Sequence, residues 1–173
     1  MLKLDLASGQ SPAPGFKSVD IDPQLEPDYC INLWDYPWPM DDDSVDAVRC
    51  SHFVEHVPDL IGFMNELHRV MRNGGTVHII HPYQFSVRAW QDPTHVRALN
   101  EASWLYYDLQ WRREMKLSHY PIHCDFEITE IQYALSDEYA GQEDSPLLRA
   151  AIVHQVNVVD DLHVRLVCHK DRD

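Results

Sequence analysis

The segment that decides the fold is Val45-Asp46-Ala47-Val48-Arg49-Cys50-Ser51-His52-Phe53-Val54-Glu55-His56-Val57. Its first half is typical of a buried strand, and it runs into the polar pair Ser51 and His52. The residues after this pair are predicted to begin a helix that presents Glu55 and His56. Open α/β sheets bind ligands just past the carboxyl ends of their parallel strands. The segment therefore predicts a binding site.

Two earlier segments share this design. The strand Leu4-Asp5-Leu6 runs into the loop Ala7-Ser8-Gly9-Gln10, and the next strand, Val19-Asp20-Ile21-Asp22-Pro23, ends with two carboxylates. In an open parallel sheet these strand ends meet at one edge. Three polar strand ends in this order therefore predict one site that is built from three loops.

Strands and connections alternate along the chain, as an α/β sheet requires. The best helix, 58–72, has apolar residues at helical spacing and should cross over between the fourth and fifth strands. The candidate parallel strands are rich in Val, Ile, Leu or aromatic residues and cover 2–6, 17–21, 29–32, 47–51 and 76–81. Further helices are predicted over 101–109 and 146–155, and further strands over 127–134 and 163–169.

The connection between the first two strands is unusual. A parallel crossover usually takes about a dozen residues or more, mostly as a helix, but only residues 7–16 are present here. Pro12 and Pro14 oppose helix formation within this short segment. We therefore expect a loop in place of the first crossover helix.

Taken together, these segments resemble the short class I S-adenosylmethionine (SAM)-dependent methyltransferases. The resemblance covers residues 2–82 and is carried by five elements in order: Leu4 to Gly9, Val19 to Pro23, Tyr36-Pro37-Trp38-Pro39 with Ser44-Val45-Asp46, Ser51 to Val57, and Glu66 to Gly75. It implies an enzyme that uses SAM. It also implies a Rossmann-like α/β fold whose mostly parallel sheet has about seven strands, the last of them antiparallel.

The resemblance also implies how SAM is held. A carboxylate at the first strand end, Asp5, suits the ammonium of the methionine moiety, and Asp20 at the second suits the ribose diol. Adenine should lie near Asn32 and Leu33, which offer an amide and an apolar face, and Ser51 should lie beside the sulfonium. The predicted cofactor-binding residues are Asp5, Ala7, Ser8, Gly9, Asp20, Ile21, Asn32, Leu33 and Ser51.

The candidate catalytic residues are His52, Glu55 and His56, which follow the fourth strand. Methyl transfer from a sulfonium requires alignment, with a base only where the acceptor must lose a proton. Two alternatives stay open. These side chains could instead satisfy backbone groups at a helix start, and alignment alone could suffice for catalysis.

The segment from His81 to Arg97 follows the fifth strand and should overhang the site, where loops usually determine specificity. Arg favours carboxylate or phosphate groups, so an anionic or ring-bearing acceptor is one interpretation. An internal pair between Arg88 or Arg97 and Asp92 is the other. The candidate substrate-binding residues are Tyr83, Arg88, Trp90, His95 and Arg97.

Charge and composition restrict the partners. The formal charge of −14 and the absence of a Lys/Arg cluster argue against nucleic acid as a substrate, although acidic charge also simply maintains solubility. We therefore expect a small-molecule acceptor. No apolar run approaches a membrane span and no secretory signal is visible, so a cytoplasmic protein without membrane contact is expected.

The whole chain, 1–173, is predicted to form one domain. Its parts are a SAM-binding region (about 2–82), an acceptor-side loop with helices (about 83–125), and the final strands (about 126–173).

The four cysteines lack a CxxC spacing and fit buried thiols better than disulfides or zinc ligands.

A metal site is not expected from the spacing of the ionisable residues. The chain has 11 histidines, and a set can be assembled on paper from His81, Asp92, His95, His119, His123 and Cys124. Their spacing matches no compact ligand motif.

Two functional alternatives to a methyltransferase also remain. One is a SAM-binding protein without transfer activity, and the other is a nicotinamide-dependent oxidoreductase, which the missing Gly-x-Gly-x-x-Gly motif disfavours.

Overall fold

The computed structural model describes residues 1–172. Asp173, the last residue of the predicted domain, lies outside the described residues. The strands are β1 (Lys3–Leu6), β2 (Lys17–Asp20), β3 (Tyr29–Cys30), β4 (Val45–Ser51), β5 (Met71–Pro82), β6 (Phe126–Leu135) and β7 (Val159–Cys168). The helices are α1 (Leu60–Val70), α2 (Arg88–Gln91), α3 (Glu101–Leu105), α4 (Leu109–Glu114) and α5 (Pro146–His154).

All seven strands form one sheet in the order β3-β2-β1-β4-β5-β7-β6. Strands β1 to β5 pair in parallel, and β7 runs antiparallel to both of its neighbours, β5 and β6. The predicted α/β fold with a mostly parallel sheet and an antiparallel last strand is therefore confirmed. This order brings the carboxyl ends of β1 to β5 to one edge.

Helix α1 covers one face of the sheet with its buried side chains, which include Phe63 and Leu67. It begins at Leu60 because the Asp59 side chain accepts a hydrogen bond from the Gly62 amide at 2.9 Å and so caps the first turn. The predicted helix from 58 is thus two residues too long at this end. The prediction that a helix presents Glu55 and His56 is wrong, because both lie in the turn before this cap.

The long helix that the sequence predicts over 101–109 is divided in two. Helix α3 ends at Leu105, and α4 starts at Leu109 behind its own N-cap, Asp108, which accepts a hydrogen bond from the Trp111 amide at 3.1 Å. Asp competes well for backbone donors at such positions. A new cap therefore interrupts what helical spacing alone predicts as one helix.

Residues 7–16 contain no helix, as predicted. The loop is held by the buried Asp5 carboxylate, which accepts a hydrogen bond from the Ala13 amide at 2.8 Å. The connection from β3 to β4, 31–44, is also without a helix. It is fastened by Arg69, which donates to the carbonyls of Trp38 and Met40 at 3.1 and 3.0 Å.

The face of the sheet opposite α1 carries a polar row across five strands. Asp5, Arg49, His78, Arg165 and Glu130 occupy paired positions on adjacent strands. Arg49 pairs with Asp5 at 2.9 Å, and Arg165 pairs with Glu130 at 2.9 Å. Where crossover helices are missing, ion pairs and half-buried polar groups thus occupy this face.

Three of the four cysteines, Cys50, Cys124 and Cys168, are buried free thiols, whereas Cys30 is exposed. Among residues 1–172, no helix has the length and apolar character needed to span a membrane.

Candidate functional site

An apolar pocket opens at the carboxyl ends of β1, β2 and β3. It is lined by Ala7, Asp20, Ile21, Ile31, Asn32, Leu33, Trp34 and Phe53. Five of these residues were predicted to bind the cofactor: Ala7, Asp20, Ile21, Asn32 and Leu33. The cavity volume is about 130 Å³, whereas pockets that enclose a whole ligand usually measure roughly 300–1,000 Å³. The pocket can therefore enclose one part of a ligand, and the rest must extend along the strand ends.

Asp20, the last residue of β2, is the ionisable group that faces this pocket. Its carboxylate accepts hydrogen bonds from the Gly9 amide at 2.9 Å and from the Asp22 amide at 3.1 Å. A carboxylate has about four lone-pair sites, so Asp20 retains capacity for a ligand hydroxyl. Ser8 and Gly9 lie in the loop that Asp20 holds, and Gly9 has a φ of 57° that suits glycine.

Asp5 does not line the pocket. Its side chain is fully buried, and it accepts hydrogen bonds from Arg49 at 2.9 Å and from the Ala13 amide at 2.8 Å. These bonds make Asp5 a scaffold residue that joins β1, β4 and the loop after β1. This environment differs from the predicted contact with a SAM ammonium.

Asn32 also has partners within its own turn. Its side-chain oxygen accepts a hydrogen bond from the Trp34 amide, and its side-chain nitrogen donates to Asp35, both at 3.1 Å. The adjacent Leu33 is 4% exposed. The end of β3 therefore offers the pocket an apolar surface with an amide locked in position.

The backbone is strained at two neighbouring strand ends. Ala7, just after β1, has a φ of 52°, and His52, just after Ser51 at the end of β4, has a φ of 53°. Residues other than glycine rarely adopt this region, and such strain, of order 1–3 kcal/mol, concentrates at functional sites. The strain thus marks the β1–β4 edge that lies between the apolar pocket and a second pocket.

The second pocket is polar and opens beside the ends of β4 and β5. Its lining residues are His52, Glu55, His56, Pro82, Arg88, Gln91, Asp92 and His95, and its volume is about 190 Å³. All three candidate catalytic residues, His52, Glu55 and His56, line it. They are joined by two predicted substrate-binding residues, Arg88 and His95.

Glu55 lies at the bottom of this polar pocket. Its side chain is 3% exposed, with His52 Nδ1 at 3.6 Å and His95 Nε2 at 4.0 Å from Oε1. Neither carboxylate oxygen accepts a hydrogen bond from any residue between 1 and 172. His52 Nε2 also lies 3.7 Å from the Asp161 carboxylate, to which Arg88 donates at 2.9 Å.

The two arginines after β5 have different environments. Arg88 lines the polar pocket, whereas Arg97 donates to the backbone carbonyls of Val57 and Pro58. The structure describes no ion pair between either arginine and Asp92. Arg97 therefore fixes the turn before α1 and is not among the residues that line this pocket.

Tyr83 and Trp90 also lie outside the lining of the polar pocket. Tyr83 is 4% exposed and packs edge-on against Tyr133, with ring centroids 5.8 Å apart. Trp90 is 70% exposed, and its ring nitrogen donates to the Gln84 carbonyl at 3.0 Å. Only one of these aromatic rings is therefore free to contact a molecule in solution.

His81, at the end of β5, is buried and neutral. Burial lowers the pKa of His81 from its ordinary value of 6.5 to about 4, against the opposing effect of a hydrogen bond to the Pro82 carbonyl. His81 Nδ1 lies 2.9 Å from this carbonyl, and the Trp104 ring donates to Nε2 at 3.1 Å. Both nitrogens are thus occupied, and His81 supports the site without facing it.

Sequence reasoning missed Asp161 and Phe53. Phe53 stands in the deciding segment, but its contact with the end of β3 depends on the fold of the turn after β4. Asp161 belongs to β7 and pairs with Pro82 of β5. The carboxylate pair Asp160-Asp161, just before the strand predicted over 163–169, was the signal available for it.

Comparison with known proteins agrees with this geometry. A family defined as a methyltransferase domain matches residues 26–79, which is less than half of the chain. No curated protein sequence matches the chain.

Solved structures match nearly the whole chain. A chain in the complex of the Haloferax volcanii Trm112 methyltransferase activator with a methyltransferase is 15% identical, with a TM-score of 0.62, covering 99% of this chain and 83% of that one. A SAM-dependent methyltransferase from Archaeoglobus fulgidus is 18% identical, with a TM-score of 0.61 and coverage of 95% and 85%. A Thermotoga maritima SAM-dependent methyltransferase, described as a possible histamine N-methyltransferase, is 11% identical, with a TM-score of 0.59 and coverage of 96% and 81%.

At these identities the solved structures establish the fold. The family match adds to it, because it includes β3, β4, α1 and most of β5. Together they confirm the resemblance to class I SAM-dependent methyltransferases that residues 2–82 carry. The family match indicates a methyltransferase domain over residues 26–79.

Proposed function

We propose that this chain transfers the methyl group of SAM to a small acceptor molecule that binds in the polar pocket beside β4 and β5. The observation that carries the proposal is the adjacency of two unlike pockets at one edge of the sheet. One is apolar and contains Asp20, and the other is polar and contains Glu55. A donor and an acceptor bound there would meet near the end of β4.

The apolar pocket suits the adenosine part of SAM. Asp20 has lone pairs available for the ribose hydroxyls, as in dinucleotide-binding sheets, and Leu33 and Phe53 provide apolar surface for a flat base. The small residues Ala7 and Ser8 leave room for the methionine part along the loop after β1. In this arrangement the sulfonium lies beside Ser51.

SAM, when bound, supplies an electrophilic methyl group on a positively charged sulfur. The chain must then hold the acceptor atom in line with the methyl–sulfur bond, and alignment alone can account for much of the rate. His52, Glu55 and His56 are the residues that we assign to this task. His52 is also suited to take a proton from an acceptor hydroxyl or ammonium group, because it lies between the carboxylates of Glu55 and Asp161.

The charges around the polar pocket favour a neutral acceptor over an anionic one. Glu55, Asp92 and Asp161 lie in or beside it, and Arg88 is already paired with Asp161 at 2.9 Å. A phosphate or carboxylate would meet an excess of negative charge. An acceptor with hydroxyl or amine groups, such as a sugar, a nucleoside portion or a natural product, fits better. The net charge of −14 likewise disfavours nucleic acid.

The test begins with calorimetric titration of the protein with SAM, with its demethylated product and with NAD. We expect both sulfur compounds to bind and NAD not to bind. Turnover is then measured as demethylated product formed with hydroxyl- and amine-bearing acceptors, and mass spectrometry identifies the methylated compound.

Two outcomes support other functions. SAM binding without turnover on any acceptor would support a SAM-binding protein, which the short loop 7–16 and its single well-placed glycine, Gly9, also favour. Binding of NAD in preference to SAM would refute the proposal and support an oxidoreductase.

A further inference from the structure

The buried carboxylate of Glu55 lacks a partner that its burial requires. Its side chain is 3% exposed, and neither oxygen accepts a hydrogen bond within residues 1–172. Burying a carboxylate without compensation is costly, so such groups usually pair with a cation or a metal. The nearest candidates, His52 and His95, lie 3.6 and 4.0 Å away, too far for hydrogen bonds. The space beside Glu55 therefore suits a ligand that carries positive charge.

His95 is oriented so that one ring nitrogen is ready to bind a cation. Its Nδ1 lies 3.1 Å from the Ala89 carbonyl, which can only accept a hydrogen bond. The proton of a neutral His95 must therefore lie on Nδ1, and Nε2 carries a free lone pair. This Nε2 is the atom that faces Glu55.

His56 is also held by a hydrogen bond at Nδ1, in this case to the hydroxyl group of Thr94. The Thr94 hydroxyl donates to Asp92 at 2.6 Å, and His56 Nδ1 lies 3.0 Å from the same oxygen. Because the hydroxyl proton is directed to Asp92, His56 Nδ1 must donate, which leaves its Nε2 without a proton. Histidines that bind metals are characteristically fixed in this way by a carbonyl or carboxylate behind the ring.

Glu55, His56 and His95 also come close enough to share one ion. Each offers one ligand atom, and these atoms lie within 4.8 Å of one another. Ligands at about 2.0–2.2 Å from a metal lie closer together than this, so small side-chain rotations would complete the site. The rings of His56 and His95 already pack edge-on, 4.6 Å apart.

We propose that Glu55, His56 and His95 bind one divalent transition-metal cation, with Zn²⁺ and Mn²⁺ as the leading candidates. Two imidazoles and one carboxylate favour such ions over Mg²⁺ or Ca²⁺, which prefer oxygen ligands. Three protein ligands leave coordination positions open, as in catalytic sites. The cation deepens the proposed function and rests on it, because all three ligands line the pocket that we assign to the acceptor.

The role of the cation would be to hold an acceptor oxygen or nitrogen beside the end of β4. A cation also makes a bound hydroxyl easier to ionise, and His52 is placed to receive the released proton. The acceptor oxygen then forms a bond to the methyl carbon while the methyl–sulfur bond breaks. The electron pair of the broken bond stays on sulfur. Methyl transfer to a hydroxyl compound would therefore depend on the metal.

The test is calorimetric titration of chelator-treated protein with Zn²⁺, Mn²⁺ and Mg²⁺, each in the absence of SAM and acceptor. Wild-type protein should bind one equivalent of Zn²⁺ or Mn²⁺ more tightly than Mg²⁺. Glu55→Gln, His56→Ala and His95→Ala should each weaken this binding by at least about 10-fold. His123→Ala removes an exposed histidine outside the pocket and should bind like wild type.

Two controls separate the possible failures. Circular dichroism and thermal unfolding establish that each variant is folded, and His56→Gln provides a less disruptive second variant. Wild-type protein that binds SAM but no metal would overturn the metal site and leave the proposed function intact. Protein that binds no SAM would instead refute the proposed function, whatever the metal titration gives. Equal metal affinity in all variants would also overturn the site.

Discussion

The two pockets at the carboxyl edge of the sheet are built on opposite principles. The pocket at β1, β2 and β3 is mostly apolar, and its one carboxylate, Asp20, is already bonded to two backbone amides. The pocket at β4 and β5 is polar, and its buried carboxylate, Glu55, accepts no hydrogen bond from the part of the chain that the structure describes. The first is thus complete without its ligand, and the second leaves a charge to be compensated.

This difference indicates how the two halves of the site should respond to change. A pocket made from strand ends and backbone amides should tolerate the loss of acceptor-side residues. A pocket made from ionisable side chains should support much slower methyl transfer when one of these side chains is replaced by a neutral one. Substitutions on one side should therefore separate affinity for SAM from turnover.

The largest effect is expected for Glu55→Gln. The change keeps the shape of the side chain but removes the charge around which His52 and His95 are arranged. We expect turnover to fall by roughly 100-fold or more while the affinity for SAM stays within about 2-fold. Steady-state kinetics and calorimetry measure the two quantities. Glu114→Gln, on the exposed face of α4, is the matched control, and a parallel loss of SAM affinity in Glu55→Gln would remove the distinction between the pockets.

Acid should destabilise the β5 side of the site through His81. Burial lowers the pKa of His81 to about 4, whereas the unfolded chain has its ordinary value, so the unfolded state binds the proton first as pH falls. The stability from His81 is complete above about pH 6.5 and is lost between there and about pH 4, in total about 3 kcal/mol. Urea unfolding across this range measures it.

The comparison for this pH dependence is His81→Gln, whose amide does not titrate. The difference in unfolding free energy between wild type and variant should shrink as the pH falls from 6.5 to 4. A constant difference over this range would show that His81 does not titrate differently in the folded and unfolded states.

Asp20→Ala should weaken SAM binding by about 1–3 kcal/mol, because a charged hydrogen-bond acceptor is lost. Calorimetry measures the affinity. Asp22→Ala changes the next carboxylate, which is exposed and accepts a hydrogen bond from the Gln24 amide at 2.9 Å, and it should have little effect. An unchanged affinity in Asp20→Ala would exclude this residue from the ribose site.

The smallest effects are expected from the two arginines, and they should differ in kind. Arg97→Ala removes donors from the carbonyls of Val57 and Pro58 and should cost about 1–2 kcal/mol of stability. Arg88→Ala should leave SAM affinity unchanged and lower kcat/KM by about 10-fold, since Arg88 lines the polar pocket. Thermal unfolding and kinetics on both variants measure this contrast. Equal changes in stability and in kcat/KM for the two variants would contradict the assignment of different roles to the two arginines.

Much of the apolar pocket could be predicted from the sequence because it depends on local order. Asp20, Ile21, Asn32 and Leu33 lie at or just past the ends of strands that the local composition indicates, and a parallel sheet brings such positions together. The loop over 7–16 could be predicted for a similar reason, since Pro12 and Pro14 act locally.

The polar pocket depends on contacts that no local pattern reveals. His95 lies near Glu55 although 39 residues separate them along the chain, and Asp161 lies nearby because β7 pairs with β5. The sequence predicts a helix at Glu55 and His56 because the apolar spacing after them is helical. The structure has a turn there, and the helix begins only after the Asp59 cap. The sequence thus identified His52, Glu55, His56, Arg88 and His95 as site residues, but it did not identify Asp161 beside them.

The polar row Asp5, Arg49, His78, Arg165 and Glu130 makes one face of the sheet responsive to electrolyte. A layer of crossover helices would bury apolar contacts, which dilute salt hardly changes. The Arg165–Glu130 pair is half-exposed and is screened by salt, because the Debye length falls from about 10 Å at 0.1 M to about 3 Å at 1 M, whereas the burial of Asp5 protects the Arg49–Asp5 pair. The ionic strength of the surroundings therefore adjusts how firmly this ion pair holds the edge strand β6 to β7. This side of the sheet should thus be least sensitive to salt at β1 and β4 and most sensitive at its edge strand, β6.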